Sequence, residues 1–93
     1  MPSVIANLKI KADQIEEAKK FLSELAQQTL ANEEGTLEYS VHQRKDDPTA
    51  FVFYEKYVDD AAFDLHGKNL AKNAGSIGAF LDGPPEIIML EEV

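Results

Sequence analysis

The spacing of apolar residues changes several times along this chain of 93 residues. Where every second residue is apolar, a β-strand with one buried face is indicated, whereas spacings of three and four place apolar side chains on one stripe of a helix. The order of these segments restricts the fold more than any single residue does, because each segment must bury its apolar face against another.

Four segments have the spacing of strands. In residues 4–10, one face carries the apolar side chains of Val4, Ala6, Leu8 and Ile10. Residues 37–42 and 51–57 also alternate, and residues 86–93 make a last apolar strand. In the turn at 45–48, a proline presets φ and two aspartates can bond nearby backbone amides. The two middle strands are therefore predicted to form an antiparallel hairpin.

The first helical pattern follows residues 4–10. Asp13 and Glu16 have the spacing of a capping box, which predicts a helix that begins directly after Asp13. Gly35 is predicted to adopt a positive φ where the chain reverses after this helix. The residues of the apolar stripe are Ile15, Ala18, Leu22, Leu25, Ala26 and Thr29.

The second helical pattern follows the hairpin. Asp59 or Asp60 is predicted to cap it, and Gly67 is predicted to bend or split it. A further helical stretch is expected to run on until the Gly-Pro-Pro segment at 83–85. The apolar side of these helical stretches is made by Ala62, Phe63, His66, Leu70, Ala74, Ile77 and Leu81.

The order strand, helix, strand, strand, helix, strand predicts an α+β fold of the ferredoxin-like βαββαβ type, with an antiparallel four-stranded sheet and helices on one face. The length allows one compact core, so residues 1–93 are predicted to form a single domain. The last strand is apolar on both faces, with Ile87 and Met89 on one and Ile88 and Leu90 on the other. A homodimer joined sheet to sheet is therefore expected to cover the second face.

The composition disfavours several classes of partner and site. Seventeen acidic and nine basic residues give a net charge of −8, and the lysines are dispersed, so neither nucleic acid nor an anionic membrane is expected to bind. There is no cysteine, and the two histidines lack carboxylates at ligand spacing, so no metal site is predicted. Without a signal-peptide pattern or a membrane-spanning apolar stretch, a cytoplasmic protein is expected.

Four elements of the sequence carry a family resemblance: Asn7 in the first strand, EGTLEYSVH at 34–42, DPTAFVFYEKY at 47–57 and AAFDLH at 61–66. In this order and spacing, over nearly the whole chain, they make it resemble the antibiotic biosynthesis monooxygenase family. The resemblance implies a dimeric α+β barrel built from ferredoxin-like subunits, and the small quinol-oxidising members look most similar.

The resemblance alone leaves the activity open, since the family and its relatives include cofactor-independent oxygenases of phenols, quinol-oxidising enzymes, isomerases of small phosphorylated sugars and haem-degrading proteins. The haem-degrading branch has its proximal histidine about one helix further on. This chain has no histidine at 73–78. Haem is therefore not expected, and the resemblance to cofactor-independent members implies no other cofactor.

Glu55 is the first candidate catalytic residue. It lies in a strand between Phe53 and Tyr57, and if its side chain faces inward, burial would raise its pKa and make it a usable base near neutral pH. It also matches the family's glutamate. The alternative is a structural ion pair with Arg44 or Lys9.

His66, His42 and Asn7 are the other candidate catalytic residues. His66 shares a helical stripe with Phe63, so it faces either the core or a pocket wall. His42 has the opposite parity from Val41 and is indicated by the family match. Asn7 is a polar side chain in an apolar strand, where its amide could steady an oxyanion. The alternatives are that His66 is a hydrogen-bonded core histidine, that His42 is a surface histidine and that Asn7 is an exposed residue of the strand.

Aromatic side chains could form the walls of a site for a planar ligand. The candidate substrate-binding residues are Tyr39, Phe53, Tyr57 and Phe63. Such residues also build ordinary cores. Whether His42 and Glu55 share a sheet face depends on the hairpin register, which the sequence leaves open.

The leading functional hypothesis is a cofactor-free monooxygenase that acts with dioxygen on a small quinol or phenol. Glu55 or a histidine would deprotonate the substrate hydroxyl, and the resulting anion would react with dioxygen directly. One alternative is an isomerase of a small carbonyl compound, with or without a phosphate group. A second alternative is a non-catalytic dimer that binds a small molecule.

Overall fold

A computed structural model describes all 93 residues and contains four strands and three helices. The elements are β1 (Pro2–Lys9), α1 (Ile15–Asn32), β2 (Thr36–Gln43), β3 (Ala50–Tyr57), α2 (Asp60–Ala71), α3 (Ala74–Gly78) and β4 (Glu86–Glu91). This order confirms the prediction from apolar spacing. The predicted bend or break at Gly67 is wrong, because α2 passes through Gly67 without a break. The second helical region is interrupted instead after Ala71, where α2 ends before α3 begins.

The four strands form one antiparallel sheet in the order β2-β3-β1-β4. The helices lie on one face of it, so the predicted ferredoxin-like α+β fold is confirmed. We call this side the helix-covered face and the other side the open face. The two central strands β1 and β3 pair from Ser3 opposite Lys56 to Lys9 opposite Ala50.

Residue parity assigns each side chain of the central strands to one of these faces. On β3, the odd-numbered residues from 51 to 57 are buried and the even-numbered ones are not. On β1, the even-numbered residues face the helices instead. The helix-covered face and α1 share the core, which includes Ala6, Leu8, Ile10, Ala18, Leu22, Ala26, Tyr39, Phe51 and Phe53.

The predicted capping box at the start of α1 is wrong. The helix begins at Ile15, its N-cap is Gln14, and no side chain caps it. The Gln14 amide donates to the Lys11 carbonyl at 3.0 Å, so the chain makes a turn just before the helix. This turn leaves Asp13 one residue too early to reach the first helical amides. By contrast, Asp59 does cap α2 and accepts from the Ala62 amide at 2.8 Å, as predicted.

The expected positive φ at Gly35 is also wrong, because only Gly83 has a positive φ. The reason for a glycine at 35 is close packing. A Cβ atom added there would lie 2.5 Å from the Cβ atom of Ala62. The turn after α1 therefore approaches the first turn of α2 more closely than a side chain at position 35 would permit.

The start of β2 is irregular. A β-bulge between Thr36 and Glu38 shifts the pairing with β3, and Leu37 is left 43% exposed instead of sharing the buried face with Tyr39. A bulge places two residues opposite one, so alternation fails at that point. After the bulge the pairing is regular, and the predicted hairpin closes through Asp47, which accepts from the Thr49 amide at 3.0 Å.

β4 is an edge strand with large apolar side chains in contact with solvent on both faces. The exposed residues of this strand are Ile87, Ile88, Met89 and Leu90. None of the helices combines the length and the apolar character that crossing a membrane requires. The cytoplasmic location stays a prediction.

Candidate active site

An apolar cavity of about 230 Å³ lies between the helix-covered face of the sheet and the helices α2 and α3. Its lining comes from the strands β1, β2 and β3, from the helices α1, α2 and α3, and from the segment that leads into β4, including Pro85 and Ile87. Almost all of its lining is apolar. Glu55 and His66 are the carboxyl and imidazole side chains of the lining, which also includes the phenol ring of Tyr39.

Glu55 reaches the cavity because it has the buried parity of β3. It is 7% exposed, and its Oε1 atom accepts a hydrogen bond of 2.5 Å from the Tyr57 hydroxyl. The two residues are neighbours on the same face of one strand, so the pleat itself brings them together. The alternative ion pairs do not form, since Arg44 pairs with Asp46 and Lys9 with Asp47.

Burial has the largest effect on the pKa values of both Glu55 and Tyr57. It raises the pKa of the Glu55 carboxyl above its ordinary range, although the hydrogen bond from Tyr57 and the nearby His66 partly oppose the rise. Burial and the adjacent Glu55 carboxyl raise the pKa of the Tyr57 hydroxyl as well. The Tyr57 hydroxyl therefore keeps its proton and donates the hydrogen bond to Glu55. The Glu55 carboxyl keeps its own proton to a higher pH than an exposed glutamate does.

His66 lies on α2 and is 3% exposed. Its Nδ1 atom is 2.9 Å from Oε1 of Glu33, and its ring lies 4.8 Å from the ring of Tyr39, measured between centroids. Its other ring nitrogen, Nε2, is buried and has no hydrogen-bond partner within the chain. A buried nitrogen without a partner is uncommon in folded proteins and points to a functional role.

Glu33 is held in place where α1 ends. It is the C-cap residue, and its backbone is extended, which turns its side chain toward α2. Its carboxylate has three neighbours: Thr36 donates to Oε1 at 3.0 Å, His66 lies on the same oxygen, and Asn69 donates to Oε2 at 3.3 Å. The close approach of α2 at Gly35 brings His66 within reach of this carboxylate.

A second, polar cleft of about 230 Å³ lies between α1 and α2, on the side of His66 where Glu33 is found. Amide and charged side chains line most of it: Gln28, Asn32, Glu33, Asn69, Lys72 and Asn73. His66, with Leu25 and Leu70, lines both the polar cleft and the apolar cavity. The imidazole ring therefore separates an apolar compartment from a polar one.

The predicted aromatic walls are mostly present. Tyr39, Phe53 and Phe63 line the cavity. Tyr57 does not, because it is fully buried behind Glu55, where its ring meets Phe63 edge-on at 5.4 Å. Tyr57 affects the cavity only through Glu55, to which its hydroxyl group donates a hydrogen bond.

Asn7 and His42 lie elsewhere. Both are on the open face, each paired with Val52, so the sheet separates them from Glu55 and His66. The Asn7 amide donates to Glu86 at 2.8 Å, and His42 is 3.0 Å from the Ser40 hydroxyl. The hairpin register thus places His42 on the face opposite Glu55, and the four candidate residues do not share one cavity: Glu55 and His66 line it, and Asn7 and His42 do not.

Glu33 was not among the residues singled out from the sequence. One signal pointed to it: an acidic side chain at the carboxyl end of a helix opposes the helix dipole, and α1 has no basic residue in its last turn. Such a residue requires a compensating partner. No group of three or more potential metal ligands occurs in the structure.

The chemistry available at the cavity is proton transfer in an apolar setting. Glu55 and His66 can each exchange a proton with a bound molecule, and the aromatic walls suit a flat ring. The cavity lining contains no lysine or arginine, so it has no permanently charged cation for a phosphate or carboxylate.

Comparison with known proteins identifies one family. The family model described as antibiotic biosynthesis monooxygenase matches residues 1–72. A solved structure of an antibiotic biosynthesis monooxygenase is 28% identical, covers 100% of this chain and 99% of its own, and superimposes with a TM-score of 0.88. No curated protein matches the sequence.

Two further solved structures have the same fold. A protein of Caulobacter crescentus CB15, named as a candidate antibiotic biosynthesis monooxygenase, is 28% identical with a TM-score of 0.91, over 99% of this chain and 89% of its own. A conserved protein of Methanosarcina mazei Go1 is 23% identical with a TM-score of 0.89, over 99% and 92% of the two chains. The latter likeness concerns the fold alone.

Proposed function

This chain belongs to the antibiotic biosynthesis monooxygenase family, and on that premise we propose that it is a cofactor-independent monooxygenase that oxidises a small phenol or quinol with dioxygen. The observation that carries the proposal is the apolar cavity that Glu55, His66 and several aromatic side chains line together. Proton removal from a ring hydroxyl is the one step for which such an enzyme must supply a group of its own.

In the proposed reaction, a base of the cavity takes the proton of the substrate hydroxyl. The electron-rich phenolate then transfers an electron to dioxygen, a carbon–oxygen bond forms on the ring, and water leaves. A phenol with a hydrogen at the para carbon thus gives a quinone and one water molecule. All four electrons come from the ring, so the balance requires no reductant and no cofactor.

The size of the cavity supports a substrate of one or two rings. An apolar cavity of roughly 150 Å³ accommodates benzene, and this one measures about 230 Å³. The lack of a cation in its lining counts against a phosphorylated sugar, because a buried phosphate requires Arg, Lys or a helix N-terminus. The isomerase alternative therefore has less support than the oxidation of a neutral ring.

We also propose that the protein acts as a homodimer joined through the open faces of two sheets. Ile88 and Leu90 on β4 are 40% and 42% exposed, and Ile5 and Tyr54 lie beside Ile88 in the same row of the sheet. A continuous apolar surface of this kind on a small domain favours self-association. A second copy would cover it without blocking the cavity, which opens on the opposite face.

Oxygen uptake tests the proposed activity. Purified protein should consume dioxygen when it is mixed with a hydroquinone or a naphthol, and Glu55→Gln and His66→Ala should each reduce kcat by about 100-fold or more, as expected for the loss of an acid–base group. His42→Ala is the matched control, because it removes the same side chain from the open face and should retain activity.

Three outcomes would contradict the proposal or its residues. If no phenol or quinol supports oxygen uptake and a ketose-like substrate turns over without oxygen, the protein is an isomerase. If ligands raise the melting temperature but no product forms, it is a binding protein. If His42→Ala loses as much activity as His66→Ala, the cavity is not the site of reaction.

A further inference from the structure

The two ring nitrogens of His66 have opposite surroundings. Nδ1 contacts the Glu33 carboxylate at 2.9 Å, on the side of the polar cleft. Nε2, on the other edge of the ring, points away from Glu33 and has no partner. A neutral histidine carries one proton, so one nitrogen donates and the other accepts, and the neighbouring groups decide which.

Glu33 determines that choice because it acts as an acceptor toward all its neighbours. The Thr36 hydroxyl and the Asn69 amide both donate to it, at 3.0 and 3.3 Å. A carboxylate has no proton to give to Nδ1, so the third contact is satisfied only if Nδ1 itself carries the hydrogen. A carboxylate that holds a histidine in one tautomer is a recurring device in proteins that transfer protons.

The other tautomer would leave two faults in the site. With its proton on Nε2, the ring would direct an N–H group into apolar surroundings where no acceptor lies within hydrogen-bond distance. It would also place the lone pair of Nδ1 against the carboxylate of Glu33, which is electrostatically unfavourable. Both faults disappear when the proton is on Nδ1.

We propose that Glu33 is a positioning residue which holds neutral His66 with its proton on Nδ1, so that Nε2 presents a lone pair to the apolar cavity and selects a ring with a free hydroxyl group. The inference rests on the proposed function only in taking this cavity as the site of binding. It adds that the ligand must donate a hydrogen bond. A quinone or a methyl ether of the same size has no hydrogen to offer.

The selectivity follows from the apolar lining. Glu55 already accepts from Tyr57, and the rest of the lining consists mainly of hydrocarbon. A bound hydroxyl has Nε2 as an acceptor in addition to Oε2 of Glu55, and of these two atoms only Nε2 is buried without a partner. When a ligand without a donor fills the cavity, Nε2 stays buried and unsatisfied, which costs about 1–3 kcal/mol. The predicted preference for the hydroxyl compound is about tenfold or more.

The tautomer is measured directly by two-bond nitrogen–proton correlation spectra of protein labelled with ¹⁵N in its histidines. His42, which is on the open face, serves as the internal reference. In the wild type, neutral His66 should carry its proton on Nδ1. If it carries the proton on Nε2, the proposal is wrong, and this result requires no variant to fold.

Two variants test the role of Glu33. Glu33→Leu removes the carboxylate and should release His66 to the tautomer with the proton on Nε2. Thr36→Val is the matched control: it removes another buried hydrogen bond to the same oxygen atom but leaves the contact with His66. If both variants keep the proton of His66 on Nδ1, another group fixes the ring and Glu33 is not the positioning residue.

Binding without oxygen tests the ligand class. The probes are para-ethylphenol and para-methylanisole, which contain the same atoms and differ in having or lacking the O–H group. Calorimetry under nitrogen should give about tenfold tighter binding of the phenol to the wild type and to Thr36→Val, and little or no preference in Glu33→Leu. Equal affinities in the wild type would overturn the inference.

The two proposals fail in different ways. A protein that binds the phenol selectively, with the proton of His66 on Nδ1, but consumes no oxygen would refute the monooxygenase reaction and support the role of Glu33. A protein that oxidises quinols with the proton of His66 on Nε2 would refute the role of Glu33 and leave the reaction standing.

Discussion

Gly35→Ala should destabilise the protein, although it adds only one methyl group. The new Cβ atom would lie 2.5 Å from the Cβ atom of Ala62 and 3.3 Å from a methyl carbon of Val58. Carbon atoms in contact prefer roughly 3.5–4.0 Å. The turn and α2 must therefore separate by about 1 Å, and both are anchored by backbone hydrogen bonds, such as the one from the Val58 amide to the Gly35 carbonyl at 2.9 Å.

The expected cost is that of overpacking a well-packed site, about 1–3 kcal/mol. It is partly offset because alanine restricts the unfolded chain more than glycine does, which contributes about 0.4–1 kcal/mol in the opposite direction. The net loss in the free energy of unfolding should be about 1–2 kcal/mol. In a domain of this size each kcal/mol lowers the melting temperature by about 4–8 °C.

Urea denaturation followed by circular dichroism measures this loss, and Gly67→Ala is the matched control. Gly67 lies inside α2, and a Cβ atom there meets nothing within 4 Å. Its replacement by alanine should raise stability by about 0.5–1 kcal/mol, since glycine is unfavourable inside a helix. The same chemical change should thus have opposite signs at the two positions.

Removing the Cβ atom of Ala62, which opposes position 35, tests whether close packing explains the glycine there. In Gly35→Ala combined with Ala62→Gly, the contact is relieved, so the two changes should not be additive and should couple by about 1 kcal/mol. If Gly35→Ala is as stable as the wild type, or if the costs simply add, close packing does not explain the glycine at this position.

Two further predictions concern Glu55 and the open face. Because burial raises the pKa of Glu55 above its ordinary 4.5, the folded protein retains a proton that the unfolded chain has released, so stability should fall as pH rises through that interval. Glu55→Gln should flatten this part of the pH profile of urea stability, and an unchanged slope would mean that Glu55 titrates normally. Sedimentation should find a wild-type dimer that Ile88→Lys converts to a monomer, whereas Leu65→Lys, which charges an apolar residue on α2 that is 52% exposed against 40% for Ile88, should leave it dimeric. A monomeric wild type, or a dimer in both variants, would contradict assembly through the open face.

The fold was predictable because its signals are local. Alternation on β1 and β3, and the stripe of α1 with Ala18 and Leu22, each follow from short stretches of sequence, and the structure confirms them. The errors are also local but depend on a shift of a single residue. The turn before Ile15 displaces the cap, and the bulge at Thr36 exposes Leu37.

The candidate site was only partly predictable, because it depends on how separate segments meet. The inward parity of Glu55 and the stripe of His66 could be inferred from the sequence. That His42 falls on the other face follows from the hairpin register, which a loop one residue longer would reverse. The link from Glu33 to His66 joins residues 33 positions apart and requires the packing of α2 against the turn at Gly35.

The alternation of faces along β3 has a consequence for how such a protein can change over time. Odd-numbered residues of this strand face the helices, and Phe53 and Glu55 among them line the cavity, whereas even-numbered residues, such as Tyr54, face the open side. Neighbours in the chain are thus subject to unrelated selective pressures. A lineage could exchange its substrate while keeping its assembly, or its assembly while keeping its substrate, through substitutions only one position apart.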